Sequence, residues 1–372
     1  MKAIRLLPLA LAAIGSCASA QNMTLFGRVD MGLQSIDMDG ATRTGVDSGI
    51  YTASRLGFRG TEDLGGGLSA LFHLEMGIGA DNGTAGVGSR LFNRGAFVGL
   101  SDKTLGTLTL GRQYSPTFWP FLNSEEAGPL RLHGYSAVNA IQRSNLLRVN
   151  QNALTVPVAN GTLAAGANGI YSVGISSSYE NNQLIYKTPS VGGFTASLAA
   201  GLAEGYEDSG KLYGTNLEYS QGPLYVGGAF NRKHGTVLAT GTSQHTDEAV
   251  LGAYYSLTDT LKLWGNAHGW SVDPGTGATL KGHDYMLGFS YFVGVGEVWA
   301  NYARKKVGSC TNCASNGFAV GYNHSLSKRT ELYVAYGRVG NQSNAANTLS
   351  GFAPVAAGGT VQGLAAGIAH VF

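Results

Sequence analysis

The chain has 372 residues, with 25 Lys and Arg against 23 Asp and Glu, and only 13% of it is charged. That near balance, without a basic tail or patch, excludes a surface built to hold nucleic acid by phosphate attraction. Hydrophobic residues make up 44% and glycines number 56, yet past the first twenty residues no stretch approaches the 18 or more apolar residues of a membrane-spanning helix.

The chain opens on "MKAIRLLPLALAAIGSCASAQ". Lys2 and Arg5, an apolar run and the small-residue "ASA" before Gln21 form a secretory signal, expected over residues 1–20 and removed on export. "IGSC" also resembles a lipidation box ending at Cys17, but the A-x-A site follows at once. Loss of Lys2 and Arg5 leaves the mature charges balanced. The remainder, 21–372, reads as one domain.

From Thr24 the pattern has period two. In "TLFGRVDMGL", Arg28 and Asp30 oppose Leu25, Val29 and Met31. In "SRLGFRGTED", Arg55 and Arg59 share a face opposite Leu56 and Phe58. "LSALFHLEM" sets Leu68, Ala70, Phe72, Leu74 and Met76 against Ser69, Leu71, His73 and Glu75. Further on, "AVLGAYYSL" from Ala249 and "DYMLGFSYF" from Asp284 alternate in the same way. Such segments run about ten residues, the length that crosses a membrane when tilted, and none of comparable length carries a helical period with caps.

Short turns near Asp63, Asp102, Ser190, Ser220, Thr258, Val293 and Ser327 alternate with longer Gly-, Asn-, Thr- and Ser-rich segments at 37–50, 79–89, 114–181, 204–210, 233–246, 271–282, 307–315 and 340–359. Seven turns and eight loops predict sixteen strands, with both termini on the short-turn side. Fourteen or eighteen are the neighbouring even counts. The chain ends on "GLAAGIAHVF", inside a strand. A soluble domain usually frays at its end, whereas a closed barrel in lipid must keep its last strand paired. The fold expected is therefore all-β, a transmembrane antiparallel barrel of sixteen strands. Phe372 is expected in the interfacial girdle at the periplasmic rim, and Tyr285, Tyr291 and Trp299 as girdle or lumen residues.

Parity also places charges. A cation facing lipid at mid-membrane costs about 2–4 kcal/mol, so Arg28, Asp30, Arg55 and Arg59 are expected to face a water-filled lumen. Glu75, beside His73, is expected to pair with a wall arginine. No G-x-S-x-G, H-E-x-x-H or phosphate-binding loop frames a catalytic group, and no cofactor or metal is expected. Cys310 and Cys313 in "CTNC" have no second ligand pair or nearby His, which favours a disulfide over zinc.

The segments "MTLFGRVDMGL", "SRLGFRGTEDLGGGLSALFHLE", "FNRGAFVGLSDKTLGTLTLGRQYSP", "LIYKTPSVGGF", "SLSKRTELYVAYG" and "GIAHVF" occur in order across nearly the whole mature chain. Together they resemble the general diffusion porins of Gram-negative outer membranes, and most closely the trimeric porins of β-proteobacteria. The resemblance implies a homotrimer in the outer membrane, in contact with lipid and lipopolysaccharide and passing small hydrophilic solutes and ions. It also implies a third loop, here 114–181, folded inward to narrow each pore.

A channel of this kind works by an electrostatic field across a narrow passage. The family's basic wall maps onto Arg28, Arg55, Arg94 and Lys187, with Arg59 and Arg112 as further candidates and a modest anion preference as the consequence. Arg94 is the hardest to place by parity, because Ala96 and Val98 share its face. The opposing acids are expected from "NSEEAG" as Glu125 and Glu126, the only acidic residues between Asp102 and Glu180. The chain departs from the family pattern at Ala369 and Val371, where basic residues are usual. It departs again in the length of the third loop, whose 137–174 stretch is expected to hold extra structure. A substrate-selective channel and a barrel-anchored adhesin or receptor stand as the alternative functions.

Overall fold

The computed structural model describes residues 22–86, 90–125, 146–150, 163–165, 170–174, 179–203, 210–237, 243–273, 275, 279–308, 310–349 and 355–372. The expected signal at 1–20 lies outside them. Strand β1 spans Asn22–Met38, and β2 comes in two pieces, Ala41–Ser48 and Arg55–Gly65. Next come β3 (Leu68–Gly79), β4 (Gly95–Asp102), β5 (Gly106–Tyr114), β6 (Tyr179–Lys187), β7 (Phe194–Gly201) and β8 (Leu212–Gln221). The second half contains β9 (Leu224–Val237), β10 (Ser243–Ser256), β11 (Leu261–Asp273), β12 (Leu280–Val293), β13 (Gly296–Val307), β14 (Ala314–Ser325), β15 (Thr330–Asn341) and β16 (Thr360–Val371).

Each strand pairs antiparallel with its sequence neighbours, and β16 pairs with both β15 and β1. The sheet contains eighteen strand segments. Two of them are not separate crossings: the halves of β2 share one, and Thr84–Ala85 is a short addition inside the second loop. Sixteen crossings close the barrel. The seam runs to the last residue, since the Gly27 N–H donates to Phe372 O at 3.0 Å and the Phe372 N–H donates to Gly27 O at 3.1 Å. Gly27 lacks a side chain where the Phe372 ring lies, 2.6 Å from where its Cβ would stand.

Alternation sorts the two faces as lipid requires. Leu251, Leu287 and Leu364 are 57%, 66% and 55% exposed on the outside, and Tyr285 and Tyr291 share that outer face. Trp299, by contrast, is fully buried inside.

The interior is filled unevenly. Along β13–β16 the inner face carries Ala303, Ala319, Ala335, Val339, Val361, Ala365 and Ala369, and these pack with Trp299, Trp264, Met286, Tyr51 and Ile50 in one apolar cluster. Two segments supply the covering side chains. Leu349 and Val355 come from the eighth loop, and Ile50 and Tyr51 from residues 49–54, which interrupt β2. The first loop thus differs from the 37–50 expected: the chain reverses tightly at Asp39 and Gly40, re-enters the sheet, and only then folds inward. Ala369 belongs to this cluster and Val371 packs against it, with Ala369 in register between Asp30 and Glu331 and Val371 beside Arg28.

Asp30 holds the 49–54 segment. Its Oδ2 accepts the N–H groups of Tyr51 and Thr52, both at 2.6 Å, and its Oδ1 accepts the Tyr333 hydroxyl at 2.7 Å. The Tyr51 ring stacks on Tyr333 with centroids 5.0 Å apart, and Asn323 bonds its hydroxyl. Asp30 is fully buried, so every partner it loses is a buried donor left unpaired.

Two outcomes are expected. Leu287→Arg puts a cation into lipid and destabilises the barrel by about 2–4 kcal/mol, read by urea unfolding from lipid vesicles. Asp30→Ala orphans three buried donors and costs on the order of 3 kcal/mol in the same assay.

Candidate pore constriction

On β1–β4 the inner face gathers the basic residues. Arg28 and Arg55 are register partners across β1 and β2. Glu75 of β3 accepts Arg94 Nε at 2.5 Å, lies 3.7 Å from Arg55 Nε, and meets His73 Nε2 at 3.1 Å. Arg28 lies within electrostatic reach of Arg55, Arg94 and Glu75, and its guanidinium donates to Thr52 Oγ1 at 2.5 Å. Arg55 and Arg94 therefore share the Glu75 carboxylate, while Arg28 lies within electrostatic reach of both Glu75 and Asp30, so three guanidinium groups face two carboxylates and leave a local excess of one positive charge. Strand parity would turn Arg94 outward with Ala96 and Val98. It escapes that rule because β4 begins only at Gly95, so Arg94 precedes the pleat that fixes the alternation.

The other candidates are dispersed. Arg59 sits four residues along β2 from Arg55, about 13 Å at strand rise, with its guanidinium 5.1 Å from the Phe26 ring centroid. Arg112 shares a face with Leu108 and Leu110 and is engaged at the rim, donating to Asn93 O and Asn181 Oδ1 at 2.7 Å each. Lys187 is exposed on the inner face of β6, with Nζ 5.9 Å from the Trp119 ring centroid. Asp30 serves the inward segment. Glu125 is 2% exposed and accepts from Asn266 at 3.3 Å, so its carboxylate faces the wall. Glu126 lies outside the described residues. Cys310 and Cys313 are joined as a disulfide with Cα atoms 5.6 Å apart, within the usual range.

The third loop enters the barrel as helix α1, Phe118–Ser124, an element the sequence pattern did not reveal. Its one local sign is Pro120, which a first helical turn tolerates. Within the 137–174 stretch, three short strands (Leu146–Asn150, Leu163–Ala165 and Ile170–Gly174) form a separate sheet. Helix α1 leaves β5 and packs on β8–β11, across the ring from β1–β4. Asn231 donates to Thr117 Oγ1 at 2.8 Å and Asn123 to Glu218 Oε2 at 2.9 Å. Gly252 makes the close approach possible, since a Cβ there would stand 2.2 Å from Pro120 O. Phe121 meets His268 edge-on, and His268 in turn lies 3.1 Å from Asp284 and 3.4 Å from Glu248.

Pro120, Phe121 and Ser124 are the buried side of α1. Phe118 and Trp119 remain partly exposed and join Tyr114 and Tyr179 in a ring array that sequence reasoning also missed. Centroids are 4.0 Å apart for Tyr114–Phe118, 4.2 Å for Tyr114–Tyr179 and 5.4 Å for Tyr114–Trp119. A closed sixteen-stranded barrel, narrowed by an internal helix facing a basic wall, is the architecture of a diffusion channel.

A model of the Gram-negative porin family matches residues 9–344. The chain belongs to the Gram-negative porins. Outer membrane porin protein 32 of Delftia acidovorans is 33% identical over 379 aligned positions, which cover 97% of each chain. An outer membrane porin protein of Bordetella pertussis is 29% identical over 87% of this chain and 90% of that one. Among solved structures, the "anion-selective porin from Comamonas acidovorans" superposes with a TM-score of 0.74 at 30% identity, covering 95% of this chain and all of that one. The trimer form of OmpT from Vibrio cholerae, at 13% identity, shares the fold with a TM-score of 0.62, over 95% of this chain and all of that one. This porin is accordingly an outer-membrane channel and not an enzyme.

Gly252→Val is expected to overpack the seat of α1, costing about 1–3 kcal/mol and pushing the helix into the passage. Single-channel conductance in a planar bilayer should fall while the barrel still folds.

Proposed function

We propose that this porin passes small hydrophilic solutes and ions passively with a modest preference for anions, and that it works as a homotrimer. The observation that carries the reading is the set of Arg28, Arg55 and Arg94 facing the carboxylates of Glu75 and Asp30, three cations to two acids. Charges in a narrow, low-dielectric passage set which ions enter more effectively than net charge does, and here the local balance is positive although the whole chain is nearly neutral. Lys187 and Arg59 extend the positive inner surface. Similarity to an anion-selective porin supports the sign, and the trimer form of a porin with the same fold supports the assembly.

The test is reversal potential under a KCl gradient, recorded on purified protein in a planar bilayer. A potential favouring chloride and openings in threes are expected. Glu75→Gln, which removes the carboxylate that Arg55 and Arg94 share, should raise the chloride-to-potassium permeability ratio. Arg55→Gln should lower it. A cation-selective potential in the unmodified channel overturns the charge reading.

A further inference from the structure

Three features of the interior stand outside the anion preference: the inward segment 49–54, the buried His268 with its two carboxylates, and the ring array on α1. The third carries an inference about solute class, and it rests on the reading of this chain as an anion-preferring porin. We propose that the passage favours aromatic carboxylates over non-aromatic ones of equal charge and similar size, with the carboxylate on the Lys187 ammonium and the ring against Trp119.

Lys187 is exposed, and among the described residues its ammonium makes no hydrogen bond or ion pair. It projects over the Trp119 ring at 5.9 Å, near the limit at which a cation feels a ring's face. An ammonium keeps three donors in any rotamer, so it can turn to an incoming carboxylate without leaving the indole. Glu218 is the acid nearby: it lies within electrostatic reach of Lys187, but its two oxygens are already held by Asn123 at 2.9 Å and Asn216 at 2.8 Å. That anchoring keeps the carboxylate from swinging onto the ammonium.

Trp119 supplies the other half. It lies on the side of α1 left exposed when Pro120, Phe121 and Ser124 bury against the wall. Its neighbour Tyr114 meets it edge-on at 5.4 Å and itself stacks with Phe118 and Tyr179. At the far end of the array Arg94 lies 5.3 Å from the Tyr179 centroid. The rings thus run between two cations, Arg94 and Lys187. A planar aromatic acid can stack on or meet edge-on the partly exposed Trp119 ring while the Lys187 ammonium holds its charged end, and aromatic pairs gain energy beyond the area they bury. Chloride and aliphatic acids engage only the cations.

Benzoate and cyclohexanecarboxylate have the same charge and nearly the same size, and only one is aromatic. Each is added in turn to KCl-bathed bilayers holding the purified channel, and the concentration that halves the current is measured. Benzoate is expected to block at a concentration about fivefold lower, the scale of one aromatic contact. Trp119→Ala should bring the two acids to the same concentration, and Trp119→Phe, which keeps a ring, should retain a preference. Lys187→Met should weaken block by both acids. Equal block by the two acids in the unmodified channel overturns the proposal, as does a benzoate preference that survives Trp119→Ala. The reversal potential in the same membranes keeps the two readings apart. A cation-favouring value sinks the anion reading on which the proposal rests, whereas an anion-favouring value with equal block sinks the aromatic preference alone.

Discussion

Everything in this structure follows from one constraint: in a hydrocarbon layer a backbone N–H or C=O without a partner costs several kcal/mol, and water is not there to help. A sheet can meet that requirement only by closing. The pairing of β16 with β1 along Arg28–Met38 and Val361–Val371 is therefore a condition for every other strand to stay in lipid. At this seam the Gly27 and Phe372 backbones exchange hydrogen bonds, and Gly27 leaves room for the Phe372 ring, 2.6 Å from where a Cβ would stand.

Closure creates an inside, and the inside is asymmetric. A water-filled barrel needs polar inner faces, yet β13–β16 carry, beside buried Glu297, Asn301, Lys305 and Glu331, a set of alanines and valines that joins a cluster with Tyr51 and Trp299. Burying these apolar surfaces gains roughly 25 cal/mol per Å², which a polar lining facing water would not. The cost is that a strand must be broken so that residues 49–54 can fold inward, and the freed backbone donors of Tyr51 and Thr52 need an acceptor. Asp30 provides it from the neighbouring strand. One buried carboxylate thereby converts an interruption in the wall into a packed part of the interior.

With β13–β16 covered and α1 seated on β8–β11, Arg59 and Lys187 remain exposed on the inner faces of β2 and β6. The cluster around Glu75 lies on this side. Glu75 draws Arg55 and Arg94 towards one point and leaves the cluster positive, while the exposed side of α1 presents rings. The expected acidic counterpart on the third loop is not available from Glu125, whose carboxylate is turned into the wall at the end of the helix.

The sequence by itself determined the faces. A period of two is local, so it assigned Arg28, Asp30, Arg55 and Glu75 to the interior, and alternating turn lengths counted the crossings. Local periodicity could not reach Arg94, which lies one residue before its strand begins, nor α1, a seven-residue helix too short to show a period. Nor could it say that Asp30 would serve an inward segment rather than the passage, or that Glu125 would be buried. Those outcomes depend on which distant segment fills the barrel beside a given strand. That is settled by contacts between residues as far apart as Asp30 and Tyr333, or Thr117 and Asn231, and only the closed tertiary structure brings them together.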